Sequence, residues 1–145
     1  MLSFNGAYTD AHLTQDTDPV VGGEDGDPLS WVPEWSFGLN GDYAWPLRGE
    51  LVAHVGGSVG YTGDRPADFG DREAAGNLRD FDSMVTVGLN AGVDFGAWSL
   101  EVYGRNLTDE DGVTSVDAGG FLPNGALALA VIRPRSIGVA VATRF

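Results

Sequence analysis

The chain has no cysteine and no lysine, no apolar run approaching the about 20 residues of a membrane helix, and no long stretch with helical spacing. Without cysteine there are no disulfides and no thiolate metal sites, and either an oxidising or a reducing compartment suits the chain. Its basic residues are eight arginines against 21 Asp and Glu, a net charge of −13. That balance argues against nucleic acid, whose phosphates need basic side chains to displace counterions. The opening stretch MLSFNGAYTDAH lacks the basic region, apolar core and cleavage site of a signal peptide, so nothing in it directs export. A length of 145 residues suits one ordinary domain.

What the chain does have is glycine, 22 residues, and alternation. Between Glu34 and Trp45, Trp35, Phe37, Leu39, Tyr43 and Trp45 share one face, while Ser36, Gly38, Asn40, Asp42 and Ala44 share the other. Similar period-2 patterns predict strands over about 2–10, 34–45, 50–62, 82–95, 97–107 and 134–145. Val52, on the polar face, is the exception within the third. The expected fold is all-β, an antiparallel up-and-down meander of about six strands in a single segment, 1–145.

The connectors alternate too. Pro46 to Gly49 and the few residues around Phe95 to Trp98 are short enough for hairpins. Ala11 to Pro33, Gly63 to Asp80 and Thr108 to Arg133 are long, and most of the carboxylates fall in or beside them. Short turns therefore sit at one end of the sheet and long acidic loops at the other.

Alternation alone does not say which solvent the apolar face meets, because a soluble barrel turns it inward and a transmembrane barrel outward. Three features favour the membrane. Trp35, Tyr43, Trp45, Tyr61, Phe95, Trp98 and Phe145 stand near segment ends, as interfacial aromatics do. The segments run about 9 to 12 residues, and a tilted strand of roughly 9 to 11 residues crosses the hydrocarbon. The opposite face carries Asn5, Asn40, Asp42, His54, Asn90, Glu101 and Arg105, too polar a set for a dry core. The alternatives are a soluble small-ligand-binding β-barrel and a short stand-alone outer-membrane protein.

Four stretches, in order along the chain, resemble one family. VYGRNLTDEDG (Val102 to Gly112) looks like the strand and Asn-Leu-Thr-Asp element near the C-terminus of TonB-dependent outer-membrane receptors. IRPRSIGVAVATRF (Ile132 to Phe145) is similar to their last strand, which follows a Pro-Arg step and ends in Phe. GAYTDA (Gly6 to Ala11) and VPEWSFGLNGDYAWPL (Val32 to Leu47) resemble earlier strands of the same barrels. The family motif thus falls on Asn106, Leu107, Thr108, Asp109, Pro134 and Arg135, and the assembly signal on Phe145.

The resemblance implies a 22-stranded barrel in the outer membrane of a Gram-negative cell, filled by a plug and driven by TonB, for uptake of ferric siderophores, cobalamin or sugars. It implies that this chain is the C-terminal barrel segment, with Met1 an internal or mispredicted start and the plug domain absent. The implied partners are outer-membrane lipid, the barrel-assembly machinery, the remaining strands and plug, and TonB only through parts not present. A six-stranded sheet also needs neighbours, since even eight strands barely enclose their own side chains and open edges are costly in lipid.

The remaining candidates have plainer readings. GGEDGDP (Gly22 to Pro28) and TDEDG (Thr108 to Gly112) suit Ca²⁺ in composition, but neither has EF-hand spacing, and solvated loops are the simpler explanation. His12 and His54 are the only histidines and read as surface or lumen residues. No nucleophile stands in a hydrolase motif, so no catalytic residue, resident metal or cofactor is expected. Glu101 and Arg105, four apart on one strand face, are candidates for a shared ion network.

Overall fold

The computed structural model describes residues 1–69, 80–117 and 128–144. The described residues form strands and connecting loops, with no helix among them. The long strands are β1 (Leu2–Tyr8), β2 (Trp35–Arg48), β3 (Leu51–Thr62), β6 (Met84–Phe95), β7 (Trp98–Arg105) and β10 (Ser136–Thr143). They make one six-stranded antiparallel sheet in the order β1-β2-β3-β6-β7-β10, each strand beside its predecessor in the series. This is the expected all-β meander.

Two short ladders were not expected. Within the long loops, β4 (Arg65–Pro66) pairs with β5 (Asp80–Phe81), and β8 (Val113–Asp117) pairs with β9 (Ala128–Val131). The first hairpin turn is also tighter than expected. Strand β2 runs on through Pro46 to Arg48 with a register shift between Pro46 and Arg48, leaving only Gly49 and Glu50 to turn. Proline is tolerated there because the ladder is irregular at that step. Gly49 and Gly96 take positive φ angles of 59° and 61° in the two tight turns, a conformation that costs glycine nothing.

The register keeps faces matched across the sheet. Phe37 pairs with Tyr61, Leu39 with Val59, Ala91 with Val102, and Val102 with Val139, all from the apolar set. Asn5 pairs with Gly38, Gly56 with Asn90, Ser58 with Gly88, and Tyr103 with Gly138 on the other face. The polar face thus alternates long side chains with glycine. A Cβ on Gly138 would stand 2.6 Å from the Tyr103 hydroxyl, and one on Gly56 2.5 Å from Oδ1 of Asn90.

The apolar face is uncovered. Leu39 is 41% exposed, Leu89 55% and Val139 63%, and Ala53 and Met84, the latter at the loop end of β6, are the only buried apolar side chains of the six strands among those described. The chain exposes 10005 Å² at 15.2 kDa, against about 7,100 Å² expected for a folded monomer of that mass. What core there is lies among the loops. Phe81 is 2% exposed, the Trp31 ring meets it edge-on at 5.7 Å, and the Arg65 guanidinium lies 5.0 Å from its centroid. The Trp31 indole N–H donates to the carbonyl of buried Ala67 at 2.9 Å, while Met84, also buried, lies over Gly112, where a Cβ would come within 3.1 Å of its side chain.

Candidate functional site

The apolar face carries aromatics at both ends and aliphatics between, except for Phe4, which pairs with Leu39 and lies 6.3 Å from the Phe37 ring. At the loop end, Tyr8, Trp35, Phe37 and Tyr61 form a continuous row, with successive ring centroids 4.6, 5.7 and 5.7 Å apart. At the turn end, Tyr43 stacks on Trp45 at 5.5 Å, and Phe95 pairs with Trp98 across β6 and β7. Trp35 and Trp45 are ten residues apart on one strand. That is about 33 Å along the strand, or about 25 Å of height at the roughly 35–45° tilt of a membrane barrel, which matches the apolar band of such barrels.

The polar face holds a hydrogen-bonded group over β3, β6 and β7. Asn90 Nδ2 donates to Glu101 Oε2 at 3.1 Å, and the same oxygen lies 3.5 Å from His54 Nε2. His54 Nδ1 lies 3.5 Å from Asp94 Oδ2 on the other side. Arg105 does not join Glu101 as expected; its guanidinium lies 5.0 Å from the centroid of the Tyr103 ring. Residues four apart on a strand are separated by about 13 Å, whereas directly opposed residues on neighbouring strands are about 5 Å apart. The network therefore runs across strands, not along one.

At the loop end, the Asn-Leu-Thr-Asp stretch folds into a clasp over β6, β7 and the approach to β10. Asn106 is buried, with a left-handed φ of 49°, which asparagine tolerates better than most residues. Its amide donates to the Glu110 carbonyl at 2.7 Å and the Arg133 carbonyl at 2.9 Å, while Oδ1 accepts the Glu110 N–H at 3.0 Å. Thr108 donates to the Val85 carbonyl at 2.7 Å, and the Leu107 N–H to the Val87 carbonyl at 2.8 Å. Leu107 lies over Gly104, where a Cβ would come within 2.7 Å of its side chain. Asp109, also left-handed at φ 58°, takes a 2.8 Å ion pair from Arg135 just after Pro134 and one residue before β10 begins. The motif residues named from sequence are thus brought together as a structural lock; Phe145 lies outside the described residues.

The acidic loops spend their carboxylates on their own backbone. Asp16 accepts the Asp25 N–H, Asp18 the Val20 N–H, and Asp27 the Glu24 N–H, each at 2.9 Å. No group of three or more side chains able to hold a metal ion occurs among the described residues. Asp10 pairs with His12 at 2.8 Å at the rim of a crevice of about 160 Å³, which Glu34, Asp64, Arg65 and Asp80 also line. Arg65 donates to the Val113 carbonyl at 3.1 Å, its Nη1 has no hydrogen-bond partner among the described residues, and burial lowers its pKa from the usual arginine value.

Sequence reasoning missed the group around Phe81 and Arg65. The signal available was a lone Trp31 and a lone Phe81 set among polar and acidic loop residues, which is where a small loop core would be nucleated.

Comparison with known proteins finds no matching family model, no matching curated protein and no matching solved structure.

Proposed function

We propose that this chain forms part of the wall of an outer-membrane β-barrel, as the C-terminal barrel portion of a TonB-dependent receptor that takes up a scarce nutrient such as a ferric siderophore. The observation that carries the wall reading is the uncovered apolar face, framed at both ends by aromatic rings and backed by a polar face. A soluble barrel buries that set of side chains, because leaving them in water forfeits about 25 cal/mol for each Å². Lipid removes the cost.

The receptor assignment rests on the ordered sequence resemblance and on the clasp formed by its best-defined motif. In this role the loops face the outside, the tight turns face the periplasm, and the chain does no chemistry. Energy coupling and gating belong to the plug and TonB.

Two experiments separate the two levels. The chain refolded into phosphatidylcholine vesicles should remain with the lipid after alkaline washing and change its migration on an unboiled gel. Release by the wash sinks the wall reading. Disruption of the gene in its own cell should abolish ferric-siderophore uptake; undiminished uptake of every siderophore tested overturns the receptor assignment and leaves the wall standing.

A further inference from the structure

The three long loops meet at one joint. Trp31, between β1 and β2, donates its backbone N–H to the Pro66 carbonyl at 2.8 Å and its indole N–H to the Ala67 carbonyl at 2.9 Å, both in the loop that follows β3. Its ring stands edge-on to Phe81 at 5.7 Å. Arg65, against the same Phe81 ring, reaches into the third loop and donates to the Val113 carbonyl at 3.1 Å. The crevice of about 160 Å³ adjoins this joint, with Pro28 and Val32 of the first loop and Asp64, Arg65 and Pro66 of the second in its lining.

The joint closes against resistance. Trp31 has a φ of 73°, a left-handed conformation that a bulky side chain adopts only at a cost. The neighbouring Ser30 Oγ and Arg65 Nη1 are the only buried side-chain nitrogen or oxygen atoms without a hydrogen-bond partner among the described residues. Water would satisfy both, and their burial forfeits that. What opposes these costs is chiefly the cover given to Phe81, which is 2% exposed, and the Trp31 ring that supplies part of it is itself 43% exposed. Trp31 is thus a lid resting on Phe81.

We propose that this joint is a latch with two states. In the closed state Trp31 and Phe81 hold the three loops together. Opening lets the Trp31 backbone relax, returns Ser30 and Arg65 to water, and parts the two loops that line the crevice. Strain and unmet polar groups gathered at one contact between loops are what a two-state element needs, since they bring the closed and open arrangements close in free energy. On the wall reading the loops stand over the outer mouth of the barrel, and the latch sets how open that mouth is. The latch itself rests on neither the wall reading nor the receptor assignment.

The test is hydrogen exchange followed by NMR on the full chain in detergent micelles. The backbone and indole N–H groups of Trp31 bond to adjacent carbonyls across the same joint, so their opening constants should agree within about twofold and exceed those of sheet amides such as that of Leu39. Ser30→Ala removes a buried hydroxyl that has no partner, and should lower both Trp31 opening constants about threefold or more. Phe81→Leu should raise both about tenfold or more, with the sheet amides unchanged. Independent exchange of the two Trp31 protons, exchange no faster than that of the sheet, or Ser30→Ala leaving the constants unchanged or raising them overturns the latch. Any of these with a protected sheet leaves the wall reading intact.

Discussion

The sheet and its loop end handle apolar side chains in opposite ways. Among the loops, Phe81 is sealed at 2% exposure beneath Trp31 and Arg65, as in a water-soluble core. In the sheet, residues of the same chemical kind stand open, Leu89 at 55% and Val141 at 63%. One chain thus obeys the rule of burial at one end and ignores it over six strands. On the proposed wall reading the difference has one cause: the two regions meet different solvents, water around the loops and lipid around the sheet.

The comparison can be broken from either side. The largest effect is expected at the loop end, where Phe81→Ala removes the centre of the small core and should cost about 3 to 5 kcal/mol of loop stability. Proteolysis of the loops should rise sharply while the sheet stays inserted. Loss of the sheet as well would mean that the two regions are not separate in the way their burial indicates. Next comes the face of the sheet: Leu39→Arg should cost about 2 to 4 kcal/mol of insertion free energy and Asn40→Arg close to nothing, measured by denaturant unfolding in vesicles. Equal costs would mean that the two faces are not distinguished by lipid.

Smaller effects test the seam between the regions. Asn106→Ala leaves the Glu110 and Arg133 carbonyls without their part-buried donor, at about 1 to 3 kcal/mol, and should speed amide exchange at Leu107 and Glu110, whose N–H groups donate to the Val87 carbonyl and to Asn106 Oδ1. Exchange unchanged there would deny the clasp its role. Arg135→Ala breaks an ion pair whose side chains are about half exposed, and so should shift stability by no more than about 1 kcal/mol. A large shift would show that the approach to β10 is held mainly by that pair.

The sheet was legible in the sequence because period-2 alternation is a local property that each strand carries by itself. Trp35, Phe37 and Leu39 declare one face without reference to any other strand. The loop core was not legible, since it depends on Trp31, Arg65 and Phe81 meeting over long separations in a region without periodicity. The ladders β4–β5 and β8–β9 are too short to show alternation clearly. The polar-face network fell between these cases: its members were named, but Glu101 was matched with Arg105 along the strand, and its partners are Asn90 and His54 across strands. The Asn-Leu-Thr-Asp motif was named through resemblance, and only the fold gave it a job, because the carbonyls that Asn106 satisfies belong to Glu110 and to the distant Arg133.

The most direct test of the account uses the absence of cysteine. Single cysteines placed in turn from Ser36 to Ala44 on β2, in vesicle-inserted chain, can be challenged with a water-soluble thiol reagent. Reaction at positions 36, 38, 40, 42 and 44 with protection at 37, 39, 41 and 43 is the predicted result, polar face wet and apolar face in lipid. Uniform labelling along the strand, or the opposite alternation, would contradict it.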